Sequence, residues 1–408
     1  MKLKLFKISQ WILITLLISF AAGCISALFL GSLTAVTQIR TSNSIFIYLL
    51  PIGGLLIGLM YYFGAKGVEG GNNYLIREMN SPKKPIHWKI IPLVFIGTVA
   101  THLFGGSAGR EGTAVQMGGA VGDAIPQLFS WTKKYRKRLL RMGVAAGFAG
   151  VFGTPIAGAI FAFELARDKK FKIADTIWVI ISSFGGHFFC IVWGIHHSKY
   201  SIEDFPAISF YSVLSTLVAG IAFGIAAYSF IKFKHLFTQL FSKISIPYLR
   251  PMIGGITLLI LFLCFEIEPY LGLGIPEIQS AFNEQMNEYG FLIKILLTAL
   301  TLGAGFKGGE ATPLFFIGAM LGNLLFLIIP LPIDVLAGIG FVAVFGAATN
   351  TPIASTLIGA ELFGFNGILF YGIANGIAYL ISGNSSVYSV QQILLKKITI
   401  FKSEKSLK

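Results

Sequence analysis

Glu111 and Glu310 are the residues whose surroundings point to chemistry. Each stands in a glycine-rich bend, FGGSAGREGTAVQMGGAVG at 104–122 and GGEATPLFFIGAML at 308–321, just before an apolar run suited to a helix. Such a bend leaves the first N–H groups of the helix without intrahelical partners, beside the positive end of its dipole. That is an anion site. Thr113 and Thr312 can cap or present a hydroxyl there, and Pro313 suits a first helical turn, where a missing N–H costs nothing. A glutamate in this setting has two states. Ionised, its carboxylate can fill the anion site itself; protonated, it can leave and admit a small anion. One side chain would then exchange an anion for a proton. Arg110 either attracts anions or makes a local pair, and no transport step is assigned to it.

The elements holding these residues are apolar. Of 408 residues 55% are hydrophobic and only 12% charged, and runs such as WILITLLISFAAGCISALFLG at 11–31 recur along the chain. A helix of roughly 20 such residues crosses a hydrocarbon layer about 30 Å thick, and about ten to a dozen such runs are present. The expected class is an all-α polytopic membrane protein. The first run is too long for a cleaved signal. Cys24, Cys190 and Cys264 lie inside apolar runs without metal-type spacing, so neither a disulfide framework nor a metal site is expected. No cofactor is expected. HExxH and clustered Cys/His are missing, which sets an intramembrane enzyme far behind.

Net charge is +14, concentrated in MKLKLFK at the start, REMNSPKKPIHWK at 77–89, WTKKYRKRLLR at 131–141 and LLKKITIFKSEKSLK at the end. Basic loops stay cytoplasmic. Both termini and those two loops are therefore expected inside the cell's inner membrane, and nucleic-acid binding is not needed to explain the charge. The short C-terminal tail gives the expectation that no soluble domain follows.

The chain also repeats itself. GREGT (109–113) matches GGEAT (308–312), which makes Glu111 and Glu310 equivalent at an offset of 199; TPIAGAIFAFEL (154–165) matches TPIASTLIGAEL (351–362) at 197. GGNNYLIREM (70–79) and LGLGIPEIQSAF (271–282) form a weaker pair. One transmembrane domain, 1–408, built of homologous halves at 10–200 and 210–395, is the expected organisation. An odd number of crossings per half would invert one relative to the other. Small residues also let helices pack closely, but packing does not require charges beside the glycines. Glu164 and Glu361, at matching places on apolar helices, read as buried acids bonding nearby backbone.

GREGTAVQ resembles the GREGPxVQ signature of the CLC family of anion channels and anion/proton antiporters. GGEATPLF is similar to that family's GxFxP segment, and GLGIPEIQ and the paired TPIA segments also fit. The resemblance covers essentially the whole chain. It implies two inverted repeats with re-entrant and broken helices, and a homodimer with a pore in each subunit. Glu111 falls on the gating glutamate and Tyr388, in SSVYSVQQ, near the pore tyrosine.

The departures from the pattern matter as much. GNNY at 71–74 stands for the chloride-type GSGIP motif, with Asn72 at its serine; Thr113 replaces the GREGP proline; Glu310 and Ala311, followed by Thr312, replace an aliphatic–aromatic pair. The inner proton-transfer glutamate should lie near 196, where GIHHSKY has none. Together these resemble the fluoride/proton antiporter branch. Fluoride is small and strongly hydrated, so compact donors must replace its water. Asn72, the backbone of Gly112 and Ala311, Thr312 and Tyr388 are the expected cradle, and Glu111 and Glu310 the gating and proton-coupling acids. Glu310 reads as a proton handler, with a structural acceptor as the other reading. His196 and His197, where the inner group is due, read as solvated residues, and His102 and His187 as hydrogen-bonded structural ones. The expected output is export of cytoplasmic fluoride on the proton gradient, giving fluoride resistance. The alternative on the same scaffold is a chloride or nitrate/proton antiporter or a passive anion channel.

Overall fold

The computed structural model describes residues 2–65, 70–129, 134–166, 173–391 and 397. Among them are seventeen α-helices. The first nine are α1 (Lys2–Ser42), α2 (Ile45–Tyr48), α3 (Leu50–Gly64), α4 (Gly71–Asn80), α5 (Ile90–Leu103), α6 (Glu111–Ala124), α7 (Arg136–Phe152), α8 (Pro155–Leu165) and α9 (Ile173–Ile191). The rest are α10 (Phe210–Ser242), α11 (Arg250–Cys264), α12 (Ile275–Ser280), α13 (Gly290–Gly303), α14 (Ala311–Leu325), α15 (Ile333–Thr349), α16 (Pro352–Phe363) and α17 (Ile368–Ile381). The class is all-α, as composition requires.

Helix length separates two kinds of element. The apolar part of α1 runs for 35 residues and α10 for 33. At 1.5 Å per residue each is about 50 Å long, well beyond the hydrocarbon thickness, so each must tilt. Most of the other apolar helices have 10–17 residues and are too short to cross alone. They work as broken pairs. α5 and α6 are interrupted at 104–110, and α13 and α14 at 304–310.

Backbone that leaves a helix at membrane depth must find partners inside the protein. The two interruptions supply them to each other. Gly109 and Gly309 exchange reciprocal N–H···O bonds of 2.7 Å. Ser107 N–H donates to the Thr301 hydroxyl, and Lys307 N–H to the Thr101 hydroxyl, both at 3.2 Å. His102 bridges the Thr98 and Ala108 carbonyls through its two ring nitrogens, at 2.8 and 3.1 Å, the structural part expected of it.

The same reciprocity appears at α8 and α16. The Glu164 carboxylate, near the end of α8, accepts from the Ile353 and Ala354 amides at the start of α16; Glu361, near the end of α16, accepts from Ile156 and Ala157 at the start of α8. Each acid caps the other helix, an arrangement only an antiparallel pair allows. These are the backbone-bonding acids expected from sequence.

Corresponding helices start 200 residues apart: Leu50 and Arg250, Ile90 and Gly290, Glu111 and Ala311. This register corrects the sequence pairing by one residue. Glu111 corresponds to Ala311, and Glu310, the residue before α14, corresponds to Arg110. The repeated G-x-E pattern hid the shift, because both halves carry a glutamate beside the helix start.

The start of the chain and two basic segments gather at one end. Trp11 stacks on Trp178 and meets Tyr135 edge-on, under the Arg138 guanidinium at 4.4 Å. Arg136 binds Asp123 at 2.6 and 2.8 Å and Glu78 at 2.9 Å. The C-terminal basic cluster, apart from Lys397, and residues 131–133 lie outside the described residues.

Candidate functional site

Glu111 is the first residue of α6 and is 1% exposed. Its carboxylate does not rest on its own helix. It reaches the start of α14, where the Thr312 hydroxyl donates to it at 2.7 and 2.8 Å and the Thr312 N–H at 3.1 Å. Arg110 N–H adds a bond of 3.2 Å, and Arg110 Nε stands 3.6 Å away. Thr312 lies in the first turn of α14, where amides lack intrahelical partners and the dipole is positive. The carboxylate therefore fills an anion seat, and the seat belongs to the other half of the chain.

Two cavities flank this plug. The larger, about 980 Å³, is lined by Asn72, Thr113, Lys234, Lys307, Glu310 and Tyr388 among others. The smaller, about 380 Å³, is lined by Gln38, Arg110, His196 and His197. α1 orders them. Its Leu30–Gln38 stretch lines the smaller cavity, more than 18 residues, or about 27 Å, from the Trp11 end. The larger cavity holds Asn72 of α4, whose Glu78 is bound to Arg136 at the Trp11 end. Glu111 sits in the wall between, with Arg110 on one side and Thr113 on the other.

Three of the expected cradle residues converge. Gly70 and Gly71 have φ of 109° and 53°, a left-handed pair that turns the chain into α4 and delivers Asn72. A Cβ on Gly112 would lie 3.0 Å from Asn72 Nδ2 and 3.5 Å from Glu310 Oε2. Glycine at 112 leaves open the space that the Asn72 amide and the Glu310 carboxylate both border. Asn72 Oδ1 and Glu310 Oε2 are buried without a hydrogen-bond partner among the described residues. Tyr388, 5% exposed, lines the same cavity and is positioned by its N–H on Ser386 Oγ at 3.1 Å. Ala311 opens α14 beside Thr312.

Other expectations fare differently. The Thr113 hydroxyl is bonded to Thr98 at 2.7 Å and caps nothing. His196 and His197 line the smaller cavity, at the end away from Trp11, and not the larger cavity that holds Asn72 and Glu310. His197 also bonds the Gly150 carbonyl at 2.9 Å, so it is not simply solvated. Lys234 was missed. Its ammonium holds Glu310 Oε1 at 2.6 Å and the Val387 carbonyl at 3.1 Å. The available signal was a lysine inside the apolar run YSFIKFKHLF, since an intramembrane charge normally has a partner.

Residues 53–383 match the family profile described as voltage gated chloride channel. A protein of Pseudomonas syringae pv. tomato named chloride/fluoride channel protein is 40% identical over 394 residues, spanning 95% of this chain and 87% of its own length. A crystal structure described as a CLC-type fluoride/proton antiporter is similar with a TM-score of 0.91 at 33% identity, over 95% of this chain and 99% of that one. A slow cyanobacterial Cl⁻/H⁺ antiporter, 21% identical, shares the fold with a TM-score of 0.81 over 93% of this chain and 96% of its own.

Proposed function

The chain belongs to the voltage-gated chloride channel (CLC) family of integral membrane proteins, and from that premise we propose that it is a fluoride/proton antiporter that exports cytoplasmic fluoride on the proton gradient and so gives fluoride resistance. The observation that carries this reading is the Glu111 carboxylate seated on Thr312 at the start of α14, between two cavities. Ionised, it takes the donors an anion needs. Protonated, it loses the charge that the helix dipole and those donors favour, and a small anion can replace it.

The fluoride branch is supported by the donor set and by the names of two relatives. Asn72 offers amide N–H groups, Thr312 an N–H and a hydroxyl, Tyr388 a hydroxyl and Ala311 a first-turn amide, all compact donors able to stand in for water. Gly112 keeps the space beside Asn72 open. Glu310 is the second acid. Lys234 holds its Oε1, and its free Oε2 is the place for a proton in transit. We assign the Trp11 end, with its basic segments, to the cytoplasm, which makes the larger cavity the inner one. Two homologous halves form one domain, the protein works as a homodimer in the inner membrane, and both termini are cytoplasmic.

Purified protein in liposomes, with fluoride and proton movement recorded together, tests the reading. Fluoride efflux with proton uptake is expected. Chloride flux equal to that of fluoride would remove the fluoride assignment, and fluoride flux without proton uptake would identify a passive channel.

A further inference from the structure

The inner cavity carries one charge that the steps above leave unused. Among the described residues its charged lining is Lys234, Arg250, Lys307 and Glu310. Lys234 is paired with Glu310, and Arg250 keeps its charge but has its donors taken up by the Ser242 and Ile244 carbonyls. Lys307 is paired with no carboxylate among the described residues. Its ammonium rests 4.0 Å from the centre of the Tyr61 ring, and the Tyr61 hydroxyl is buried without a hydrogen-bond partner among the described residues.

The position is built. Lys307 N–H is tied to Thr101, and the stem lies over Gly97, where a Cβ would come within 2.9 Å of Lys307 Cγ. The other half shows what packing alone needs. Ser107, 200 residues earlier, holds the matching place and closes its loop through a 2.9 Å hydroxyl contact with Thr298. A small polar side chain is enough there. An ammonium at membrane depth costs a few kcal/mol and is kept where it faces a pathway or a partner. A tyrosine face offsets only part of that cost.

We infer that Lys307, resting on the Tyr61 ring, is a loading site for a small hydrated monoanion in the inner cavity, filled before the seat at Asn72 and Thr312. This rests on the reading of that cavity as the anion's route from the cytoplasm. Low-dielectric walls focus the field of the uncompensated charge along the cavity and raise the local anion concentration. The ammonium can hold an ion that keeps part of its water, whereas the converging donors at Asn72 receive it after that water is shed.

Initial fluoride efflux from liposomes, measured against fluoride concentration, tests the site with Lys307→Gln and Lys307→Arg. Lys307→Gln is expected to raise the half-saturating concentration about tenfold, the low end of what field focusing gives, and Lys307→Arg to restore it. Added impermeant salt should raise the wild-type value more than that of Lys307→Gln, because the variant has one charge fewer to screen. An unaltered half-saturating concentration in Lys307→Gln would overturn the site. So would equal loss of transport in both variants, which marks the side chain as a clamp on Tyr61. Wild-type protein that moves no fluoride would bring down the transport reading itself, and the loading site with it.

Discussion

At the scale of single residues, the proposed gate turns on the Glu111 carboxylate being held by Thr312 as an anion would be. Glutamine at 111 keeps its shape and cannot take up a proton. Glu111→Gln is therefore expected to abolish proton uptake while anion movement persists, recorded as pH change in lightly buffered vesicles; unchanged proton movement would overturn the gate. Thr312→Val removes a hydroxyl from the same seat and keeps the branched shape. A hydrogen bond to a charged group is worth about 1.5–3 kcal/mol, so fluoride affinity by calorimetry should fall about ten- to a hundredfold. The Lys234–Glu310 pair makes a separate prediction. Removing one partner of a fully buried pair costs about 3–5 kcal/mol and replacing both with apolar residues is often neutral; this pair is part-buried, so the same signs hold at a smaller size. Thermal melts in detergent should thus show Lys234→Met below wild type and Lys234→Met/Glu310→Leu recovering much of the loss, while the double variant fails to couple protons.

At the scale of elements, glycine has two jobs in these helices. Before the glutamates it permits the 109/309 contact. After them it permits helix crossings, with Gly118 and Gly122 of α6 against Gly143 and Leu139 of α7, and Gly318 and Gly322 of α14 against Gly340 and Leu336 of α15. Small-residue packing and the anion seat are therefore both present, on successive stretches of the same helix. A Cβ at Gly318 would run into the Gly340 carbonyl, whereas one at Gly31 would meet nothing within 4 Å. Gly318→Ala should lower the melting temperature sharply and Gly31→Ala hardly at all. The helices, the paired bends and the capping acids were legible in sequence because each has a local signature: an apolar run, a glycine cluster, a repeated TPIA segment. The one-residue register was not, since it depends on which glycines bond across the interface. Nor was the choice of Lys234 as partner over its neighbour Lys232, because the helix face decides it and both faces of α10 are apolar. The histidine pair was placed by its position in the chain, and the fold sets it on the smaller cavity, apart from Asn72 and Glu310.

At the scale of the whole molecule, two cavities of about 980 and 380 Å³ lie on either side of the wall that holds Glu111, with Thr113 lining one and Arg110 the other. They should therefore be reached from opposite sides. In protein whose Cys24, Cys190 and Cys264 are replaced by serine, a membrane-impermeant thiol reagent should label Gln38→Cys only from outside and Tyr248→Cys, at the mouth of the larger cavity, only from inside. Labelling of both from one side would mean that the wall is not where the geometry puts it.

The plug and its socket come from different stretches of chain, and that has a consequence for assembly. Neither stretch can be a working valve alone: one would own a stopper with nowhere to lodge, the other a hole with nothing to close it. Two fragments severed in the 192–209 connection and made in the same cell would have to find one another before any ion is moved, so competence becomes a report on their docking.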